Sequence, residues 1–310
     1  MTWIALIVAL ALEQLRPLGQ FSKVWRWFEA YVAHLKTQCN AGKRAYVVLA
    51  WVTAVVPLTL LAWLVYIALN YFIVGQIWAT LWCVFVLYFT MGFRHFSGQI
   101  TAIREALLDN QIFQARLLLS EWTGRTNEAT TANQVARKTI EMGVLDSYHH
   151  VFATIFWFSV LPGPAGALLY RLSYQIAKQW RRDNPDDDFA FVAHKILAIL
   201  DYIPTRLTAM SFALMGNFEE AVYYWRAQVA AGRNHARHLL IASAEGALGI
   251  RLSDQEFSTV GNDRPVLGLG ERFEPLYLQS AVSLIWRALV LWLAVIGLMN
   301  IQSGVMIVFN

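Results

Sequence analysis

Between Val151 and Leu214 the sequence sets long apolar runs against helix-breaking residues, and this stretch restricts the fold more than any other. The first run is interrupted at Leu161-Pro162-Gly163-Pro164, and the second carries Pro204 with Asp201 and Arg206 on either side. Proline lacks a backbone N–H, clashes with the carbonyl four residues earlier and biases the preceding residue away from helix. The first run is therefore either two short helices meeting at a turn or a re-entrant hairpin, and the second is expected to break at Pro204. Hydrocarbon cannot hydrogen-bond to backbone opened in this way, so protein has to cover it. The rest of the chain is expected to pack around this stretch.

Composition then sets the class. Of 310 residues, 57% are hydrophobic and 14% aromatic, with only 15% charged, whereas soluble domains carry about a quarter charged residues. The chain reads as all-α, a polytopic helical membrane protein with cytoplasmic helical segments and a Pro-broken helix pair, and its main partner is the lipid bilayer. A net charge of +4 and thirteen tryptophans fit a basic cytoplasmic side and aromatic belts at the two interfaces. No Lys/Arg cluster is dense enough for a phosphate groove, which argues against nucleic acid. Cys39 and Cys83 cannot form a disulfide framework. An oligomer is compatible with such a chain.

Residues 1–93 read as a membrane anchor. The apolar start to Leu12 has no basic n-region and no small-residue cleavage site, so it is an uncleaved anchor of marginal length. Arg16 to Arg44 places six basic residues against Glu29, with Phe21, Val24, Trp25, Phe28, Tyr31, Val32 and Leu35 at helical spacing. That pattern is a basic amphipathic helix in the headgroup plane on the cytoplasmic side. Ala45–Ala68 and Ile73–Phe93 form a transmembrane hairpin whose turn faces the periplasm, with Pro57 tolerated as a kink.

Residues 94–150 turn polar and read as a cytoplasmic helical pair, 151–180 as the Pro-broken membrane segment, and 181–275 as cytoplasmic or membrane-surface helices. Residues 276–310 form a C-terminal transmembrane helix in which Arg287 snorkels. By the distribution of Lys and Arg, the protein is expected to be a multi-pass membrane protein with these basic and polar regions in the cytoplasm; the resemblance described below implies the bacterial inner membrane.

Local motifs add little chemistry. Asp186, Asp187 and Asp188 could hold a cation, but negative charge favouring the helix that starts at Phe189 is the simpler reading. Residues 215–221 look like the turn of a helical repeat, yet no second copy follows. The glycine-rich GNDRPVLGLGERFEP follows no strand and has no Lys-Ser/Thr pair, so it is only weakly suggestive of a phosphate-cradling loop. Adjacent His149 and His150 point about 100° apart on a helix and cannot share a metal; His235 and His238 share a face but lack a third ligand. No metal site is expected.

Four blocks in fixed order, LPGPAGALLYRL, FAFVAHKILAILDYIPTRLTA, EGALGIRL and RPVLGLGERFEPL, make the stretch from Glu141 to Ala288 resemble the CobD/CbiB family of cobalamin biosynthesis. The front half resembles AmpE, an inner-membrane protein linked to β-lactamase regulation that is similar to that family. The resemblance implies joining an aminopropanol, or its phosphate, to a corrin carboxylate with ATP and magnesium. That chemistry asks for carboxylates to hold the metal and cations to meet the phosphates. The departures fall on such residues. Where the family reads like AENTSDG, this chain has Leu145, Asp146, Ser147, Tyr148 and His149; Asn-Thr-Leu-Asp after the tyrosine of the LPG block becomes Tyr174, Gln175, Ile176 and Ala177. A paired aspartate becomes Leu197 and Ala198, Trp-Pro-Glu becomes Leu239, Leu240 and Ile241, and the early His-Pro-Val block is absent.

Packing residues are kept while acids are lost, which suggests a surviving scaffold without magnesium chemistry. The polar residues left near the expected membrane surface are Glu141, Asp146, His149, His194, Asp201, Arg206 and Glu245, the candidate ligand-binding set. Asp201 and Arg206 are either a structural ion pair across Pro204 or part of a pocket for a corrinoid or other anionic small ligand, with Arg206 as the clamp. Two functions follow from the resemblance. The expected one is a binding or regulatory membrane protein similar to AmpE, with no turnover. The alternative is a cobinamide-phosphate synthase that ligates aminopropanol phosphate to adenosylcobyric acid, drawing its acids from Asp146, Asp186, Asp187 and Glu245.

Overall fold

Apolar runs of membrane length and amphipathic runs of ordinary length both become helix in this chain. The structure is a computed structural model that describes residues 2–15, 22–38, 44–72, 75–124, 131–230, 236–250 and 276–308. Its helices are α1 (Thr2–Leu15), α2 (Ser22–Gln38), α3 (Arg44–Asn70), α4 (Gly75–Thr90), α5 (Phe93–Leu108), α6 (Ile112–Thr123) and α7 (Ala132–Ser147). A π-helical turn at Tyr148–Phe152 leads into α8 (Ala153–Val160), followed by α9 (Ala165–Asp183), α10 (Asp188–Met215), α11 (Phe218–Ala230), α12 (Ala236–Leu248) and α13 (Leu276–Val308). No strand occurs among the described residues. A bilayer core needs about 20 apolar residues of helix. α3, α10 and residues 277–300 of α13 meet that length and hydropathy, while α1 and α4 are apolar but shorter. The protein is an all-α membrane protein.

Two expectations change. The region read as a helical pair holds three helices, α5 to α7, because Asn110 takes a left-handed conformation (φ 57°) between α5 and α6; asparagine tolerates that region better than most residues. Pro204 does not break the second apolar run, since α10 continues through it from Asp188 to Met215. The reason lies in the carbonyl that the proline strands. Pro204 cannot donate to Leu200 O four residues earlier, and the indole Nε1 of Trp157 donates to that oxygen instead, at 3.3 Å. Pro57 in α3 repeats the arrangement: the hydroxyl of Tyr31 donates to Thr53 O, also four residues earlier, at 3.4 Å.

The chain divides into two units. Residues 1–93, 149–204 and 293–310 form the first. Within it α1 packs on α4, α3 packs on α4 and α9, and α8 folds back on α9. The α8–α9 turn realises the break read at the two prolines: Gly163 has φ +66°, where a side chain is strained, and a Cβ on Gly166 would press into the carbonyl of Trp157. Polar contacts tie the amphipathic α2 to α9, with Gln179 Nε2 donating to Glu29 O at 2.8 Å. Residues 94–148 and 205–292 form the second unit, in which α7 packs on α6 and α12, and α11 pairs with α12. A capping box of Thr131 and Gln134 starts α7.

Candidate functional site

The π-helical turn interrupts the regular register just where the chain enters the Pro-broken hairpin, and such turns recur at functional sites. It carries His149. Facing it, α9 presents Tyr170 and Tyr174, four residues apart and so on one helical face, and α10 presents Asp201. Tyr170 is fully buried and Asp201 is 4% exposed. The tyrosine hydroxyl donates to Asp201 Oδ1 at 2.7 Å and lies 2.8 Å from His149 Nδ1.

A phenol has one proton to give. With that proton on the carboxylate contact, the hydrogen between Tyr170 and His149 belongs to Nδ1, which fixes the imidazole as the Nδ1–H tautomer and makes Nε2 its accepting nitrogen. The Tyr174 ring stacks on the imidazole with centroids 4.4 Å apart and 27° between planes, holding its orientation. His150 meets the same tyrosine edge-on at 5.9 Å. Buried Arg171 brings its guanidinium to 5.3 Å from the ring of Trp25 on α2 and 5.6 Å from that of Tyr174. Cation–π contacts of this kind hold a buried charge among rings. His149 lies outside the three membrane-length helices. Burial, then the positive charges of Arg171 and Lys178, push its pKa down to about 3. At neutral pH the imidazole is neutral, so it accepts rather than attracting an anion as a cation would.

Of the seven candidate residues, His149 and Asp201 come together, through Tyr170. The others lie elsewhere. Glu141 pairs with Arg237, and Asp146 accepts from Trp122 Nε1 at 2.8 Å. His194 is exposed, Arg206 is half-buried on α10, and Glu245 is 2% exposed on α12. The three loop aspartates take the reading of a helix start: Asp188 opens α10, Asp187 pairs with Lys36 at 3.0 Å and Asp188 with Arg44 at 3.0 Å. Asp201 and Arg206 occupy one continuous helix rather than the two sides of a break. Cys39, His235 and the glycine-rich stretch lie outside the described residues.

Tyr170, Arg171 and Tyr174 escaped the sequence reading. The signal available for them was two tyrosines at i and i+4 directly after the proline turn. Among the described residues, no group of three or more His, Cys, Asp or Glu is arranged to hold a metal ion. The carboxylates at 141, 146, 187, 188 and 201 are each engaged by a protein donor instead. The magnesium implied by the resemblance does not find its set of oxygens there.

Residues 3–285 match the profile of the CobD/Cbib protein family. The chain belongs to the CobD/CbiB family. It is 29% identical to the cobalamin biosynthesis protein CobD of Stutzerimonas stutzeri over 286 residues, 92% of this chain and 91% of that protein. It is 31% identical to the CobD of Chromobacterium violaceum over 211 residues, 67% of each chain, and 25% identical to that of Leptospira interrogans over 195 residues, 60% of this chain and 61% of that one. No solved structure matches. The family match reaches back to the first helix, so the front half belongs to CobD/CbiB as the back half does, and the boundary drawn near Glu141 was too narrow.

Proposed function

We propose that this member of the CobD/CbiB family is a multi-pass inner-membrane protein that binds a corrinoid, and that it carries out no magnesium-dependent ligation of its own. The observation that carries this reading is the Asp201–Tyr170–His149 relay beside buried Arg171. It commits the buried acid to a phenol and leaves a neutral imidazole nitrogen as the accepting group. A ring-shaped ligand edged with amides and carboxylates matches a site made of stacked aromatics, one fixed cation and one neutral acceptor. The loss of the family's acids at the magnesium positions supports the same reading. Arg206 remains a proposed anion contact.

The synthase is the second reading. It is favoured by the name that the relatives carry, cobalamin biosynthesis protein CobD, and by a match covering nine-tenths of the one from Stutzerimonas stutzeri. A strain lacking its CobD/CbiB enzyme and fed cobyric acid separates the two. Expression of this chain, with membrane insertion verified by immunoblot, is expected to give no growth, while the purified protein retains cobyric acid or cobinamide on a desalting column. Robust growth would establish the synthase instead.

A further inference from the structure

Arg44 and Lys195 each stand immediately before an apolar run in a helix long enough to cross a bilayer. α3 carries no charge between Arg44 and its end at Asn70, and α10 has only Asp201 and Arg206 between Lys195 and Met215. The two cations meet at one ring. The guanidinium carbon of Arg44 lies 5.0 Å, and Nζ of Lys195 5.6 Å, from the centroid of Phe191, which is 50% exposed. Two polar-to-apolar boundaries that are far apart in the sequence therefore coincide in space, at the level where a bilayer places its phosphates. Protein groups leave both cations available. Asp188 Oδ1 accepts from Nε of Arg44 at 3.0 Å, which uses one of five guanidinium N–H groups in a weak, exposed pair. No carboxylate among the described residues pairs with Lys195; Asp187 is taken by Lys36. Two like charges on one ring repel each other, and a shared anion relieves the repulsion.

The helix faces that follow these cations suit a lipid. On α3, Val48 and Val52 come four and eight residues after Arg44; on α10, Ile199, Tyr202 and Ile203 come four, seven and eight residues after Lys195. These spacings keep each set on the face of its own cation. All five side chains are exposed, Ile199 to 72%. Each cation thus heads an apolar stripe about two helical turns long. We propose that Arg44 and Lys195 together bind the phosphate of an anionic phospholipid, whose acyl chains lie along the stripes of α3 and α10. A zwitterionic lipid carries a cation beside its phosphate, which the two basic side chains repel. A soluble phosphate has no use for the stripes. The lipid bridges the start of α3 to α10, the helix that carries Asp201 of the relay, and this assignment holds whichever ligand the relay serves.

The test titrates the full chain, purified in an uncharged detergent, with phosphatidylglycerol or with phosphatidylcholine of the same acyl chains, and counts the lipid retained by native mass spectrometry. The wild type is expected to retain phosphatidylglycerol at lower concentration than phosphatidylcholine. Lys195→Gln is expected to weaken phosphatidylglycerol retention about fivefold, the effect of one cation near anionic lipid, and Lys195→Arg to preserve it. Adding Arg44→Gln should abolish the preference between the two lipids. Because Arg44→Gln also removes the contact with Asp188, thermal unfolding checks that this variant is folded; if it is not, Lys195→Gln decides alone, since that side chain pairs with no carboxylate. Arg181→Gln removes an exposed cation that makes no contact with Phe191 and is expected to leave retention unchanged. Equal retention of the two lipids by the wild type would overturn the proposal. An equal loss in Arg181→Gln would overturn it in favour of diffuse surface charge. Displacement of the lipid by excess inorganic phosphate would overturn it in favour of a soluble anion.

Discussion

The hydroxyl of Tyr170 stands 2.7 Å from Oδ1 of Asp201 and 2.8 Å from Nδ1 of His149, so one phenol satisfies an acid on α10 and an imidazole on the π-helical turn. Tyr170→Phe removes both contacts while keeping the ring. It is expected to destabilise the protein by about 1–3 kcal/mol, the usual cost of stranding a buried polar partner. The effect should shrink in an Asp201→Asn background, because an amide is less costly than a carboxylate to leave without its donor. Thermal unfolding of the two single variants and the double variant in detergent gives the coupling; strictly additive losses would show that the contacts do not act as one unit.

Acid stability tests the same imidazole. The folded pKa of His149 lies near 3, below the value of about 6.5 for an unperturbed histidine. Between these values the unfolded chain takes up the proton and the folded protein does not, so stability rises with pH across the window. The contribution is complete above about pH 6.5 and is lost as the pH falls toward 3. The unfolding midpoint of the wild type is therefore expected to fall more steeply between pH 6.5 and 5 than that of His149→Gln. Parallel curves would mean that His149 is protonated in the folded state already.

The proline-capped carbonyls show where the sequence was legible and where it was not. Length and hydropathy announced α3 and the membrane part of α13, and the double proline announced the α8–α9 turn, because those properties are local. Pro204 misled for the same reason. Whether a proline ends a helix depends on what reaches the stranded carbonyl, and Trp157 is 43 positions away from that carbonyl in sequence. The relay was half legible: Asp201 and His149 stood out as charges and rings in apolar surroundings, whereas Tyr170 and Tyr174 looked like interface aromatics until α9 turned them to the same histidine. Glu141 and Asp146 looked alike in the sequence, and only tertiary contacts with Arg237 and Trp122 give them separate roles.

Trp157→Phe puts the capping idea to the test. Removing the indole N–H leaves Leu200 O without its donor and is expected to cost about 0.5–1.5 kcal/mol. Pro204→Ala restores a backbone N–H four residues on, so the tryptophan substitution should cost less in that background. An equal cost in both backgrounds, measured by chemical denaturation in mixed micelles, would show that the indole contributes packing alone.

Two ion pairs at the start of α10 should differ. Lys36 and Asp187 are 18% and 28% exposed, whereas Arg44 and Asp188 are 68% and 47% exposed, at the same 3.0 Å separation. Exposed pairs contribute about 0–1 kcal/mol and are screened by salt. A double-mutant cycle is expected to give the Lys36–Asp187 pair the larger coupling, and 0.5 M salt to remove most of the Arg44–Asp188 coupling while sparing more of the other. The reverse order would mean that the cation–π contacts of Lys36 with Phe189 and Arg44 with Phe191 outweigh the carboxylates.

Topology can be checked without any ligand. The basic segments flanking α2 and the polar helices α5 to α7 hold much of the Lys and Arg, and positive charge stays on the cytoplasmic side. The turn after α3 is then expected to face the periplasm. In a chain whose two native cysteines have been replaced, a cysteine at exposed Asn70 is expected to react with a membrane-impermeant maleimide added to intact spheroplasts. One at exposed Glu121 on α6 should react only after the membrane is opened. Because α3 is long enough to cross by itself, the two positions cannot both be labelled from outside unless α4 fails to return the chain. Strong outside labelling at 121 with none at 70 would invert the orientation.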